Sequence, residues 1–78
     1  MDPRKRPLRN KVQLKSIGVR IRKLRLEKGI SQEALADAAR IERSYMGAIE
    51  RAERNPSIDK LASIAKALKV SLPKLLAN

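Results

Sequence analysis

Aliphatic residues recur along this chain at the spacing of helical turns and nowhere alternate as they do in half-buried strands. Leu14, Ile17, Ile21 and Leu24 fall at i, i+3, i+7 and i+10, and Ile58, Leu61, Ile64, Ala65 and Leu68 at i, i+3, i+6, i+7 and i+10. Each set draws one stripe along a helix, and such a stripe is buried only against the stripes of other helices. A chain of 78 residues buries only about 60% of its extended surface. One economical, all-α core is what these stripes can build.

Punctuation divides the chain into five helices. Asn10 with Gln13 resembles a capping box and Gly29 is a natural stop, so the first helix is expected over about 11–28. Ser31 offers a cap for a short second helix that turns Leu35, Ala36 and Ala39 inward. A third, about 42–51, places Met46 and Ile49 inside while Arg43, Ser44, Gly47 and Ala48 point elsewhere. Asn55-Pro56 ends that pattern, Ser57 caps a fourth helix, and Ser71 caps a fifth with Pro73 in its first turn. Leu72, Leu75 and Leu76 would then close the core. Residues 1–9 hold two prolines, four Arg/Lys and, besides Met1, only Leu8 to bury. The expected organisation is a basic arm over 1–10 and one domain over 11–78.

Composition removes several function classes. There is no Cys and no His, so disulfides, thiolate nucleophiles, the usual zinc sites and the usual general base are missing, and neither enzyme activity nor a cofactor is expected. No apolar run approaches membrane length and none follows the basic amino end, so neither a span nor a leader is expected and the default address is cytoplasmic. Tyr45 is the single aromatic residue. Binding of single strands by stacked bases needs several.

What remains is charge. The 19 Lys+Arg outweigh 8 Asp+Glu by +11, unevenly: residues 1–15 carry +5, 16–30 carry +4, 31–58 carry −1 and 59–78 carry +3. Basic flanks beside a near-neutral middle match the division on DNA between phosphate attraction and base readout. A solvated face or tail would give the same count.

The middle segment carries the motif. Two short helices joined by a tight turn, Ser31 to Glu50, have the layout of a helix-turn-helix, with Ala36 and Ala39 allowing close crossing and Leu35, Ile41, Met46 and Ile49 as the wedge. The run S-Q-x-x-L-A, then I-E-R-S-Y-M, I-E-R, R-N-P-S and L-x-x-I-A-K-A-L-x-V-S-L-x-x-L-L resembles the phage repressor and Cro type helix-turn-helix family over about 17–76. Size and basic amino end look most like its stand-alone regulators, such as restriction-modification controller proteins. The resemblance implies a lambda-repressor-like five-helix domain that binds double-stranded DNA in a prokaryotic or phage setting.

It also implies roles. Gln32 matches the glutamine that bonds a phosphate at a helix N-terminus; as a plain helix former it would need no role. Arg43 and Ser44 match the first exposed positions of the recognition helix, and Arg43 can pair with guanine O6 and N7. Ala48 matches a base-facing position that offers only methyl contact, and Gly47 beside it lets backbone approach. Glu42 either accepts from cytosine N4 or orients Arg43. Tyr45, Arg54, Asn55 and Ser57 fall where relatives touch the sugar-phosphate backbone, although the Tyr45 ring could simply pack on the domain. Glu50 reads as a structural ion pair or cap.

Arg40 and Ala52 depart from the family, which has glycine at both. If the backbone there keeps positive φ, each non-glycine residue costs roughly 1 kcal/mol. Val70, Leu72, Leu75 and Leu76 offer more apolar surface than one short helix needs, so a homodimer on a palindromic operator is expected through them, the alternative being that all four are core. Glu33 and Asp37 form an acidic spot that could touch RNA polymerase. Two competing readings are the antitoxin of a toxin pair, which would need a further binding segment, and non-specific polyanion or membrane-surface binding by the first helix, whose apolar face is committed to the core.

Overall fold

The computed structural model describes residues 11–77, with side chains from Lys15 on. The arm over 1–10, the Asn10/Gln13 capping box and the Leu14 side chain lie outside what it describes. Five helices follow: α1 (Lys11–Glu27), α2 (Gln32–Ala39), α3 (Arg43–Glu50), α4 (Ile58–Ala67) and α5 (Leu72–Leu76). Among the described residues there is no strand.

Three of the helices begin in the same way. The hydroxyl oxygens of Ser31, Ser57 and Ser71 accept from the backbone N–H of Ala34, Lys60 and Lys74 at 3.0, 3.2 and 3.1 Å. Each bond satisfies an amide that the helix cannot, worth about 1 kcal/mol.

Four helix ends also share one device. After α1, α2, α3 and α4 the chain turns into the left-handed region at Gly29, Arg40, Ala52 and Lys69, with φ of 67, 58, 60 and 59°. At each, that residue's N–H donates three residues back and the next N–H five back. Arg40 reaches Asp37 at 3.1 Å, Ile41 reaches Ala36 at 2.9 Å, Lys69 reaches Lys66 at 3.0 Å and Val70 reaches Ala65 at 3.0 Å. This is the Schellman arrangement. The positive φ expected at Arg40 and Ala52 is present, and Lys69 adds a third such residue that no sequence signal marked.

The core gathers Ile17, Ile21 and Leu24 from α1, Leu35, Ala36 and Ala39 from α2, Met46 and Ile49 from α3, and Leu61, Ile64, Ala65, Leu68 and Leu75 from the last two helices and their link. Helix α2 packs on both α3 and α4, while α1 supports α3 and α5. Arg20 Nε closes the far end by donating to the Ala77 carbonyl at 2.6 Å.

Three assignments change. Leu76, expected with Leu72 and Leu75 to close the core, is 38% exposed. Ile58, placed on the inner face by its spacing, is 54% exposed; as the first residue of α4 it leans back past the helix end, where there is nothing to pack on. Leu75, placed in the dimer patch, is 0% exposed within one protomer. The short α5 has one position facing both α1 and α4, and Leu75 fills it.

Replacing Arg40, Ala52 or Lys69 singly with glycine is expected to stabilise the domain by about 1 kcal/mol, raising Tm by about 4–8 °C. Thermal unfolding followed by circular dichroism measures this, and a fall in Tm at any of the three would contradict the left-handed assignment there.

Candidate nucleic-acid interface

Helix α3 divides into two sides. Met46, Gly47 and Ile49 are buried, and Arg43 and Ser44 are exposed, with Ala48 half-buried one turn on. Glu42 caps the helix in extended backbone, and its side chain makes no cap bond, so the carboxylate stands at the helix mouth beside Arg43.

The inner side is held by α1 through two contacts. A Cβ at Gly18 would lie 2.7 and 2.6 Å from the carbonyl oxygens of Ile49 and Glu50, closer than any side chain could come. Glycine is what lets α1 approach the end of α3. One helical stretch further, Arg25 donates from Nε and Nη2 to the Glu50 carboxylate at 2.9 and 3.1 Å, and from Nη1 to the Ile30 carbonyl at 3.0 Å. The two side chains are only 11% and 5% exposed. Glu50 is therefore structural as expected, but its partner is Arg25, across 25 residues of sequence. Nothing local in the sequence pairs them.

Gly47 needs correction. Rather than facing outward toward bases, it is buried, and a Cβ there would meet Arg51 Nη1 at 3.0 Å and Gln32 Oε1 at 3.2 Å. Its missing side chain makes room for two polar groups, one from α2 and one from the end of α3. Gln32 lies at the first position of α2, half-buried against α3. Arg51, which the motif reading passed over, also pairs with Glu53 at 3.1 Å.

The remaining residues flank α3 on the α4 side. Tyr45 packs against the core, with Lys60 Nζ 4.6 Å from its ring centroid, so the ring has the domain-packing role as well as a cationic neighbour. Arg54, Asn55 and Ser57 are exposed around buried Pro56, which pins their loop. The Ser57 oxygen is engaged as a cap while its hydroxyl hydrogen is free to donate outward. Arg43, Ser44, Ala48, Gln32, Tyr45, Arg54, Asn55 and Ser57 thus all sit on α3 or on the segments that border it. Val70 and Leu72 are half-buried and Leu76 is 38% exposed, on the separate α4–α5 end.

The family model described as helix-turn-helix matches residues 21–75. The chain belongs to this helix-turn-helix family. It is 45% identical over 58 residues to the control protein C.SmaI of Serratia marcescens, covering 74% of this chain and 69% of that protein. The crystal structure of the restriction-modification controller protein C.AhdI from Aeromonas hydrophila matches with a TM-score of 0.80 at 41% identity, over 82% of this chain and 97% of that one. The transcriptional regulator SinR of Bacillus subtilis is 44% identical over 61 residues, 77% of this chain and 55% of SinR. A structure of SinR in complex with SinI matches with a TM-score of 0.75 at 43% identity, over 80% of this chain and 61% of that one. These similarities agree with the all-α, five-helix architecture.

Removing one member of the Arg25–Glu50 pair leaves a half-buried charge without its partner. Arg25→Leu and Glu50→Leu are each expected to cost roughly 3 kcal/mol, and Arg25→Leu/Glu50→Leu clearly less than their sum. Urea unfolding of the singles and the double measures the coupling; additive losses would show that the pair does not anchor α3.

Proposed function

We propose that this chain is a sequence-specific, double-stranded DNA-binding transcription regulator of the controller-protein kind, acting as a homodimer on a palindromic operator and not as an enzyme. The observation that carries the reading is the two-sidedness of α3: its inner stripe is locked against α1 and α2, and its outer stripe presents Arg43, Ser44 and Ala48. An eight-residue helix held in that way fits the major groove. In this reading Arg43 reads guanine, Ser44 and Ala48 border it, and Glu42 either reads cytosine or orients Arg43. Gln32, Tyr45, Arg54, Asn55 and Ser57 contact sugar and phosphate. The named controllers and regulators among its relatives support the same assignment.

The arm over 1–10 adds phosphate contacts to the domain over 11–78. The dimer patch narrows to Val70, Leu72 and Leu76. Glu33 and Asp37, both exposed on α2, remain the proposed acidic contact to RNA polymerase. Among the described residues no helix is long and apolar enough to cross a membrane, and a cytoplasmic address follows from the proposed function. A second reading, a module whose main task is to bind another protein, draws on the resemblance to SinR, solved together with SinI.

Site selection from a random duplex pool tests the principal reading: it should return a two-fold-symmetric sequence with half-sites about one helical turn apart. Arg43→Ala should then relax preference at one position per half-site by about 1–3 kcal/mol. Removal of residues 1–10 should instead weaken all duplexes alike and flatten the salt dependence. Selection that returns no sequence preference would reject the proposal. Sedimentation at micromolar concentration is expected to show a dimer that Leu72→Glu/Leu76→Glu dissociates; a wild-type monomer with and without DNA would reject the dimer.

A further inference from the structure

Away from α3, the C-terminal ends of α2 and α4 enclose an open-sided groove of about 610 Å³ lined by Ala38, Ala39, Arg40, Ser63, Lys66, Ala67 and Lys69. Its floor is built from small alanine side chains and its rim from three cations. No acidic residue lines it, and among the described residues no ion pair engages Arg40, Lys66 or Lys69. Two of the cations, Arg40 and Lys69, occupy left-handed backbone at φ 58 and 59°, where glycine would fit without strain.

We propose that this groove is a docking surface for an acidic segment of a partner protein, with carboxylates against Arg40, Lys66 and Lys69 and small aliphatic side chains on the alanine floor. Charge complementarity selects the occupant's sign, and the absence of any buried donor selects its size. All three cations are exposed, so each alone holds a small anion weakly, whereas a segment carrying several carboxylates engages them together. The proposed phosphate contacts Gln32 and Ser57 lie at the opposite ends of α2 and α4, about 10 and 13 Å back along the helix axes at 1.5 Å per residue. The groove is thereby set apart from those two contacts, and the proposal is that it is filled while DNA is bound.

The test is a titration of isotope-labelled full chain with a short synthetic peptide of Glu and Leu residues, followed by amide NMR, with and without a bound DNA duplex. Shifts should concentrate at residues 38–40 and 63–69 and persist on DNA. Lys66→Glu/Lys69→Glu should weaken the peptide by about tenfold or more while lowering Tm by only a few degrees, for the cation lost from the last turn of α4, and keeping duplex affinity to within a few-fold. Arg40→Gly should weaken the peptide while raising Tm. Four outcomes would overturn the proposal: shifts concentrated on α3, displacement of the peptide by duplex, inorganic triphosphate binding as tightly as the peptide, or unchanged peptide affinity in the double variant.

Discussion

The grip of α1 on the end of α3 is the contact on which the rest depends. An eight-residue helix has little stability of its own, so α3 can present a fixed face only if its other side is held. Gly18 removes the side chain that would keep the two backbones apart, and the Arg25–Glu50 pair then fixes rotation and register through two parallel bonds. Arg25 also holds the Ile30 carbonyl, so the same guanidinium ties the entrance of α2 to the exit of α3. The helix-turn-helix is thus braced at both ends by one side chain from outside it.

This brace alters what the net charge means. By count, residues 31–58 are slightly acidic, but Glu50 is neutralised from α1 and Glu53 by Arg51. Glu42 stands at the mouth of α3, next to exposed Arg43. Pairing with Arg25, from outside the segment, cancels one of its five acids and brings it from −1 to neutral, whereas the Arg51–Glu53 pair leaves the count unchanged. Charge along the chain indicated where polyanions would be attracted, and only the fold shows that Glu50 has been withdrawn from that surface.

How much was legible follows the range of the interactions. The serine caps and the aliphatic stripes of α1, α2 and α4 act over three or four residues, and the sequence displays them directly. The spacing of Met46 and Ile49 placed α3 and left Arg43 and Ser44 outside, where they are exposed. Arg25–Glu50 was hidden because it spans separate helices, and so was the burial of Gly47, which depends on where Gln32 of α2 and Arg51 come to lie. Ile58 and Leu75 were misplaced for a related reason: periodicity gives a stripe, but what faces the first residue of α4, or the single inward position of α5, is decided by neighbouring helices.

The helix ends show how a local signal can be misread even when its mechanism is local. Glycine marks one of the four left-handed stops, yet the hydrogen-bond pair is the same at all four. What three of them share is an aliphatic residue directly after the turn: Ile30, Ile41 and Val70 all pack against the core. That burial contributes on the order of 1 kcal/mol or more, enough to hold Arg40 or Lys69 in a conformation costing about as much. The stop after α3 is the exception, because Glu53 follows the turn and is exposed. With no apolar anchor there, the chain is next pinned at buried Pro56. The segment carrying Arg54 and Asn55 is thus held from its far end by Pro56, while α3 is braced from behind by α1.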